Sequence, residues 1–181
     1  MTEERILVID TCVLINLLAT GEIEKILRIA AQKSLICSAV KKESLYLRGE
    51  DPAADPEAID LFPLVAKGVL AFCQVETPNE EQLYVNYASE LEDGEAMTLA
   101  IALTRNWELA TDERKARRLY KETAGNDKAL TTTSQLIRDW VEAEDIADEH
   151  IKLVLLRIER RAHYRPPNWD SNNEWWTSAC Q

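Results

Sequence analysis

No stretch of this chain is apolar for long enough to cross a bilayer, and Arg5 interrupts the start of its first hydrophobic run. The opening MTEER is acidic and lacks the basic-then-apolar layout of a secretory leader. Together these predict a cytoplasmic protein with no membrane partner. Paired-cysteine signals are missing too. Cys12, Cys37, Cys73 and Cys180 stand far apart with no CxxC, which argues against a zinc site and predicts that the first three are small buried hydrophobes. Basic charge is in deficit: 21 Lys and Arg face 32 Asp and Glu, a net charge of −11. That balance argues against a general nucleic-acid coating protein, which needs Lys and Arg on phosphates. It leaves open an enzyme that holds divalent cations in an acidic pocket. Histidine is scarce: His150 and His163 both lie late in the chain and read as surface or packing residues.

What is present suits one compact domain. The chain has 181 residues, 46% of them hydrophobic and 29% charged. Arg5 to Asp10 reads as a strand, because Ile6, Leu7, Val8 and Ile9 are consecutive, as in a parallel strand covered on both faces. Thr11 is the expected cap of a helix ending at Thr20-Gly21. Helical spacing resumes over Glu22 to Gln32. A short strand at Ser34 to Cys37 precedes a predicted helix from Ser38 to about Arg48, and GEDPAADP (49–56) is a loop. Further strands are expected at Val69 to Val75, Glu108 to Thr111 and Ala129 to Thr132. Helices are expected near Asp60 to Lys67, at Asn79 to Glu92, Glu95 to Leu103, Asp112 to Thr123, Thr133 to Glu142, and Asp148 to about Tyr164. Alternating strands and helices predict an α/β domain with a mainly parallel sheet over residues 1–164. Residues 165–181, RPPNWDSNNEWWTSACQ, read as an irregular tail that docks by its aromatics.

Two of the strands run into an aspartate, ILVI into Asp10 and ELAT into Asp112. Ligands of parallel α/β sheets bind beyond the carboxyl ends of the strands, so both side chains are expected at one edge. Glu43, in SAVKKESL, follows a short strand, and Glu95, in EDGEAMTLAIA, opens a helix; residues at helix starts in such a sheet also face that edge. Clustered carboxylates repel unless a cation neutralises them, and Mg2+ or Mn2+ prefers such oxygen ligands. Taken singly, each acid has an ordinary explanation. Asp10 and Asp112 can cap helices, Glu95 can sit on a helix dipole with Asp93 as its cap, and Glu43 can be a solvated helix residue.

The segments VIDTCVLINLL, AVKKESL, DGEAMTLAIAL and LATDERKARRL, in that order, resemble the PIN-domain nucleases, the family that includes VapC-type toxins of toxin-antitoxin pairs. The resemblance implies a three-layer α/β/α sandwich around a parallel sheet and metal-dependent RNA cleavage. Carried over by position, it implies Asp10, Glu43, Glu95 and Asp112 as the catalytic acids, with Asp10, Glu95 and Asp112 holding Mg2+ or Mn2+ directly. Thr11 and Asn16 match supporting polar positions, Asn16 being otherwise odd among Leu14, Ile15, Leu17 and Leu18. Glu113 fills a second-acid position.

RNA still has to approach an acidic protein. Arg114, Arg117, Arg118 and Lys121 recur on one helical face after Asp112 and are the candidate phosphate contacts; the bland alternative is a solvated face of ion pairs. Arg157, Arg160, Arg161 and Arg165 form a second basic cluster. The acids between Glu76 and Glu95 meet no Lys or Arg along the chain and could attract a basic partner. Expected partners are therefore the RNA substrate, an antitoxin protein and a second copy of the chain. Trp169, Trp175 and Trp176 either stack on bases of single-stranded RNA or pack against protein. The competing function is a catalytically silent PIN-like interaction module. Phosphotransfer from Asp10 is disfavoured, because Thr11-Cys12 follows without a second aspartate.

Overall fold

The computed structural model describes residues 4–40, 45–49, 51, 53–127 and 129–181. In chain order the elements are β1 (Ile6–Ile9), α1 (Thr11–Thr20), α2 (Ile23–Ala30), β2 (Lys33–Cys37), β3 (Tyr46–Leu47), β4 (Glu57–Ala58), α3 (Phe62–Ala66) and β5 (Leu70–Cys73). They continue as α4 (Pro78–Tyr87), α5 (Asp93–Arg105), β6 (Glu108–Ala110), α6 (Arg114–Ala124), β7 (Leu130–Thr131), α7 (Thr133–Glu144), α8 (Asp148–Arg161) and α9 (Asn173–Ala179).

The central sheet is parallel throughout and runs β5-β2-β1-β6-β7. From β1 the chain winds outward through β2 to β5, then returns to the other side of β1 as β6 and β7. The strand order thus reverses between β1 and β6, the place where open α/β sheets take ligands. Their register pairs Ile9 with Ala110, so Asp10 and Thr111 leave the sheet side by side.

Successive β1 residues point to opposite faces, and both faces are covered. Leu7 and Ile9 join a core built with α1, α2, α7, α8 and α9. Val8 joins a second core with α4, α5 and α6. The result is a three-layer α/β/α sandwich. Among the described residues no helix is long and apolar enough to cross a membrane.

Several expected boundaries differ, each for a local reason. Asp10, not Thr11, caps α1: its carboxylate accepts from the Val13 amide at 2.8 Å, and Thr11 is the first helical residue. Glu92, not Asp93, caps α5, and Glu113, not Asp112, caps α6. The helix expected to reach Arg48 is not there over residues 45–48. Leu45 and Leu47 are buried while Tyr46 is exposed, a period of two, and Tyr46–Leu47 pairs antiparallel with Glu57–Ala58. The C-terminal segment is not wholly irregular either: it carries α9, and Trp176 is fully buried in the main core. Enclosing a side chain of that size stabilises by roughly 3 kcal/mol, which fixes the segment to the domain.

Candidate active site

Asp10 emerges from β1 at the strand reversal and is 3% exposed. Its Oδ1 is used by the helix cap, whereas Oδ2 is buried with no hydrogen-bond partner among the described residues. Burial is the main cause that pushes its carboxyl up to about 7. The Thr111 hydroxyl and the Val13 amide oppose that rise, and the charges of Asp112 and Glu95 add to it. Among the described residues no positive charge acts on this carboxylate; the Thr111 hydroxyl and the Val13 amide are what oppose the cost of burying it.

Asp112, two residues beyond β6, is treated differently. Its Oδ1 accepts from the Thr133 amide at 3.0 Å and the Tyr164 hydroxyl at 3.3 Å. Its Oδ2 accepts from Asn16 Nδ2 at 3.1 Å and from the Thr133 hydroxyl. Burial still raises its pKa against these four donors, and the charge of Asp170 contributes. Asn16 is 5% exposed and also donates to Thr133 Oγ1, so it braces Asp112 against the start of α7.

Glu95 is the third residue of α5, and its carboxylate accepts from the Glu92 amide at 3.4 Å in a capping box. Its charge nevertheless reaches Asp10. Glu113 accepts from the Lys115 amide as the cap of α6. Thr11 is half-buried next to Asp10. Cys12, expected to be buried, is exposed. Its thiol is pushed up to about 12 by partial removal from water and then by the charges of Asp10, Glu95, Asp112 and Glu113. These acids therefore share one neighbourhood. Even so, no three His, Cys, Asp or Glu side chains among the described residues are grouped tightly enough to hold one ion as they stand. Glu43 lies outside the described residues.

The basic face divides on inspection. Arg117 is half-buried and spends Nη1 on the carbonyls of Thr111 and Thr131 at 3.2 and 3.1 Å, so it ties β6 to β7. Arg118 pairs with Glu122 and Glu90, and Lys121 with Asp127, all solvent-exposed. Arg114 is exposed and enters no ion pair among the described residues. In the second cluster Arg161 is buried on the Arg48 carbonyl and Glu57, and Arg165 pairs with Glu159. The acidic stretch is likewise partly spoken for, Glu80 by Arg105 and Glu90 by Lys115 and Arg118.

Sequence reasoning missed Thr133, Tyr164 and Asp170. Thr133 had a signal: TTTS follows a short strand and starts a helix, so it belongs to the same carboxyl edge. Tyr164 and Asp170 come from the C-terminal segment, which local pattern does not place.

A family model described as a PIN domain matches residues 6–125, more than half of the chain, and the chain belongs to the PIN-domain family, whose fold is that of nucleases. No match was found among curated proteins or among solved structures. The matched stretch holds Asp10, Glu95, Asp112 and Glu113 but ends before Thr133, Tyr164 and Asp170.

Proposed function

We propose that this protein is a metal-dependent ribonuclease that hydrolyses RNA phosphodiester bonds, working in the cytoplasm as the toxin of a toxin-antitoxin pair. The observation that carries the reading is the unpartnered Oδ2 of Asp10, buried among other negative charges at the strand reversal. Asp10, Glu95 and Asp112 are the residues that would hold Mg2+ or Mn2+, with Glu43 as a fourth acid. A bound ion of this kind supplies Lewis acidity at neutral pH and offsets the charge that builds on phosphate oxygens. Asn16 and Thr133 keep the Asp112 oxygens in place, and Thr11 and Glu113 flank the acids. Arg114, Arg118 and Lys121 draw the RNA backbone toward them. An antitoxin and a second copy of the chain are the further partners this role requires.

The four donors already on Asp112 favour a second reading, a catalytically silent interaction module. One experiment separates the two. Purified protein is incubated with RNA in EDTA, Mg2+ or Mn2+, alongside Asp10→Asn, which keeps the helix cap. The nuclease reading expects cleavage only with metal and a loss of at least about a hundredfold in the variant, since even residues behind a ligand cost 10–100-fold. No cleavage by the wild type under any condition rejects it.

A further inference from the structure

The three tryptophans of the C-terminal segment have different surroundings. Trp176 is fully buried and donates Nε1 to Glu159 at 2.9 Å. Trp175 packs edge-on against Trp176. Trp169 is 44% exposed, although the turn that carries it is firmly held. Its neighbour Asp170 accepts from Ser134 Oγ at 2.8 Å and from the Asn172 amide at 2.8 Å. The Arg117 guanidinium lies over the indole, 5.4 Å from the ring centroid, and is itself fixed by two strand carbonyls. A large aromatic ring is thus presented to solvent on a rigid mount.

That ring lines a groove of about 830 Å3 along α6 with Arg114, Lys115, Arg117, Arg118 and Lys121. Glu113, which caps α6 and follows Asp112 in the chain, lines this groove, so the N-terminal end of the groove lies beside the candidate active site. On a chain of net charge −11, five cations gathered beside an exposed indole form a local exception. The ion pairs of Lys115, Arg118 and Lys121 are solvent-exposed and cost little to exchange for phosphate.

We propose that Trp169 and the solvent face of α6 bind a single-stranded polynucleotide, one base stacking on the indole while Arg114, Lys115, Arg118 and Lys121 hold the phosphates on either side. That the strand is RNA rests on the nuclease reading above; the stacking surface itself does not. Cations alone suit any acidic polymer, but a fixed exposed ring among them suits unpaired bases. Arg117 is a positioning residue for Trp169 rather than a phosphate contact.

The test is fluorescence anisotropy with a short labelled single-stranded RNA of mixed sequence, in EDTA so that nothing is cut. Trp169→Ala is expected to weaken binding about tenfold, and Trp169→Phe to keep most of the affinity. Neither should change the salt dependence. Arg114→Ala and Arg118→Ala should each flatten it, by about 0.7 in log–log slope per lost phosphate contact. A blunt duplex RNA should bind without regard to Trp169, and a matched DNA strand tells whether the surface distinguishes the sugar. Equal binding by wild type and Trp169→Ala, at unchanged melting temperature, overturns the proposal. So does binding of a polyglutamate peptide with none of the single strand. Metal-dependent cleavage by the wild type with an indifferent Trp169→Ala removes this surface and leaves the nuclease reading intact. Trp169-dependent binding without cleavage does the reverse.

Discussion

Asp10 and Glu80 are both almost inaccessible carboxylates, 3% and 1% exposed, and the protein treats them in opposite ways. Glu80 ties α4 to α5. It accepts from Arg105 Nε at 2.6 Å and Nη2 at 3.1 Å, and from the amides of Glu76 and Thr77 at 2.7 and 3.2 Å. These bonds, led by Arg105, hold its carboxyl down at about 2. Asp10 has the Val13 amide on one oxygen, the Thr111 hydroxyl nearby, a second oxygen without a hydrogen bond among the described residues, and negative neighbours; burial pushes its carboxyl up to about 7. Burial is common to both, so burial does not mark function. What distinguishes them is the counter-charge: Arg105 supplies it at Glu80, and among the described residues none is supplied at Asp10.

The contrast can be broken first at its saturated end. Glu80→Gln removes the buried carboxylate from Arg105, leaving it only the exposed Glu76, and should cost about 3 kcal/mol of stability in denaturant unfolding at pH 7. Because the folded pKa of Glu80 is lowered from 4.5 to about 2, its contribution is complete above about 4.5 and disappears as pH falls through 2. The gap between variant and wild type should close over that range. Cleavage per folded molecule should not change.

Asp10→Asn should have the opposite sign. The folded pKa is raised from 3.8 to about 7, so the native state holds its proton longer than the unfolded chain. Wild-type stability therefore falls as pH climbs from about 3.8 and the loss is complete above 7. In EDTA at pH 8 the variant should be the more stable by a few kcal/mol, and near pH 4 the two should coincide. Adding Mn2+ should raise the melting temperature of the wild type alone and reverse the order. Equal unfolding curves at pH 8 would remove the electrostatic strain from Asp10. The smallest change is expected from Tyr164→Phe, which removes the longest of the four bonds to Asp112. It should cost under about 1 kcal/mol in stability and lower kcat a few-fold with KM unchanged. A change in KM instead would place Tyr164 in substrate binding.

The central strands were readable because Ile6 to Ile9 is a short apolar run and Glu108 to Ala110 a short strand segment, each leading into a polar residue, a local signal that also locates Asp10 and Asp112. The capping role of Asp10 does not use up its carboxylate: Oδ1 holds the helix cap, and buried Oδ2 has no hydrogen bond among the described residues. β3 was misread as the end of a helix because the composition of KKESLYLR favours helix, while the alternation of buried and exposed residues over 45–49 is only five residues long. Tyr164 and Asp170 were beyond reach for a different reason. Tyr164 meets Asp112 across 52 positions of chain, and Asp170 meets Ser134 across 36, through the packing of α8 and α9. No periodicity within either segment encodes that meeting. Arg117 looked like its neighbours at helical spacing, yet half-burial turned it toward two carbonyls.

The stretch shared with the family ends at residue 125, whereas three of the four donors to Asp112 and the ring beside Arg117 come from later in the chain. Asp112 thus leans on groups that the matched stretch does not contain. A chain cut after residue 125 would keep the aspartate and Asn16 but lose the amide and both hydroxyls that fix its two oxygens.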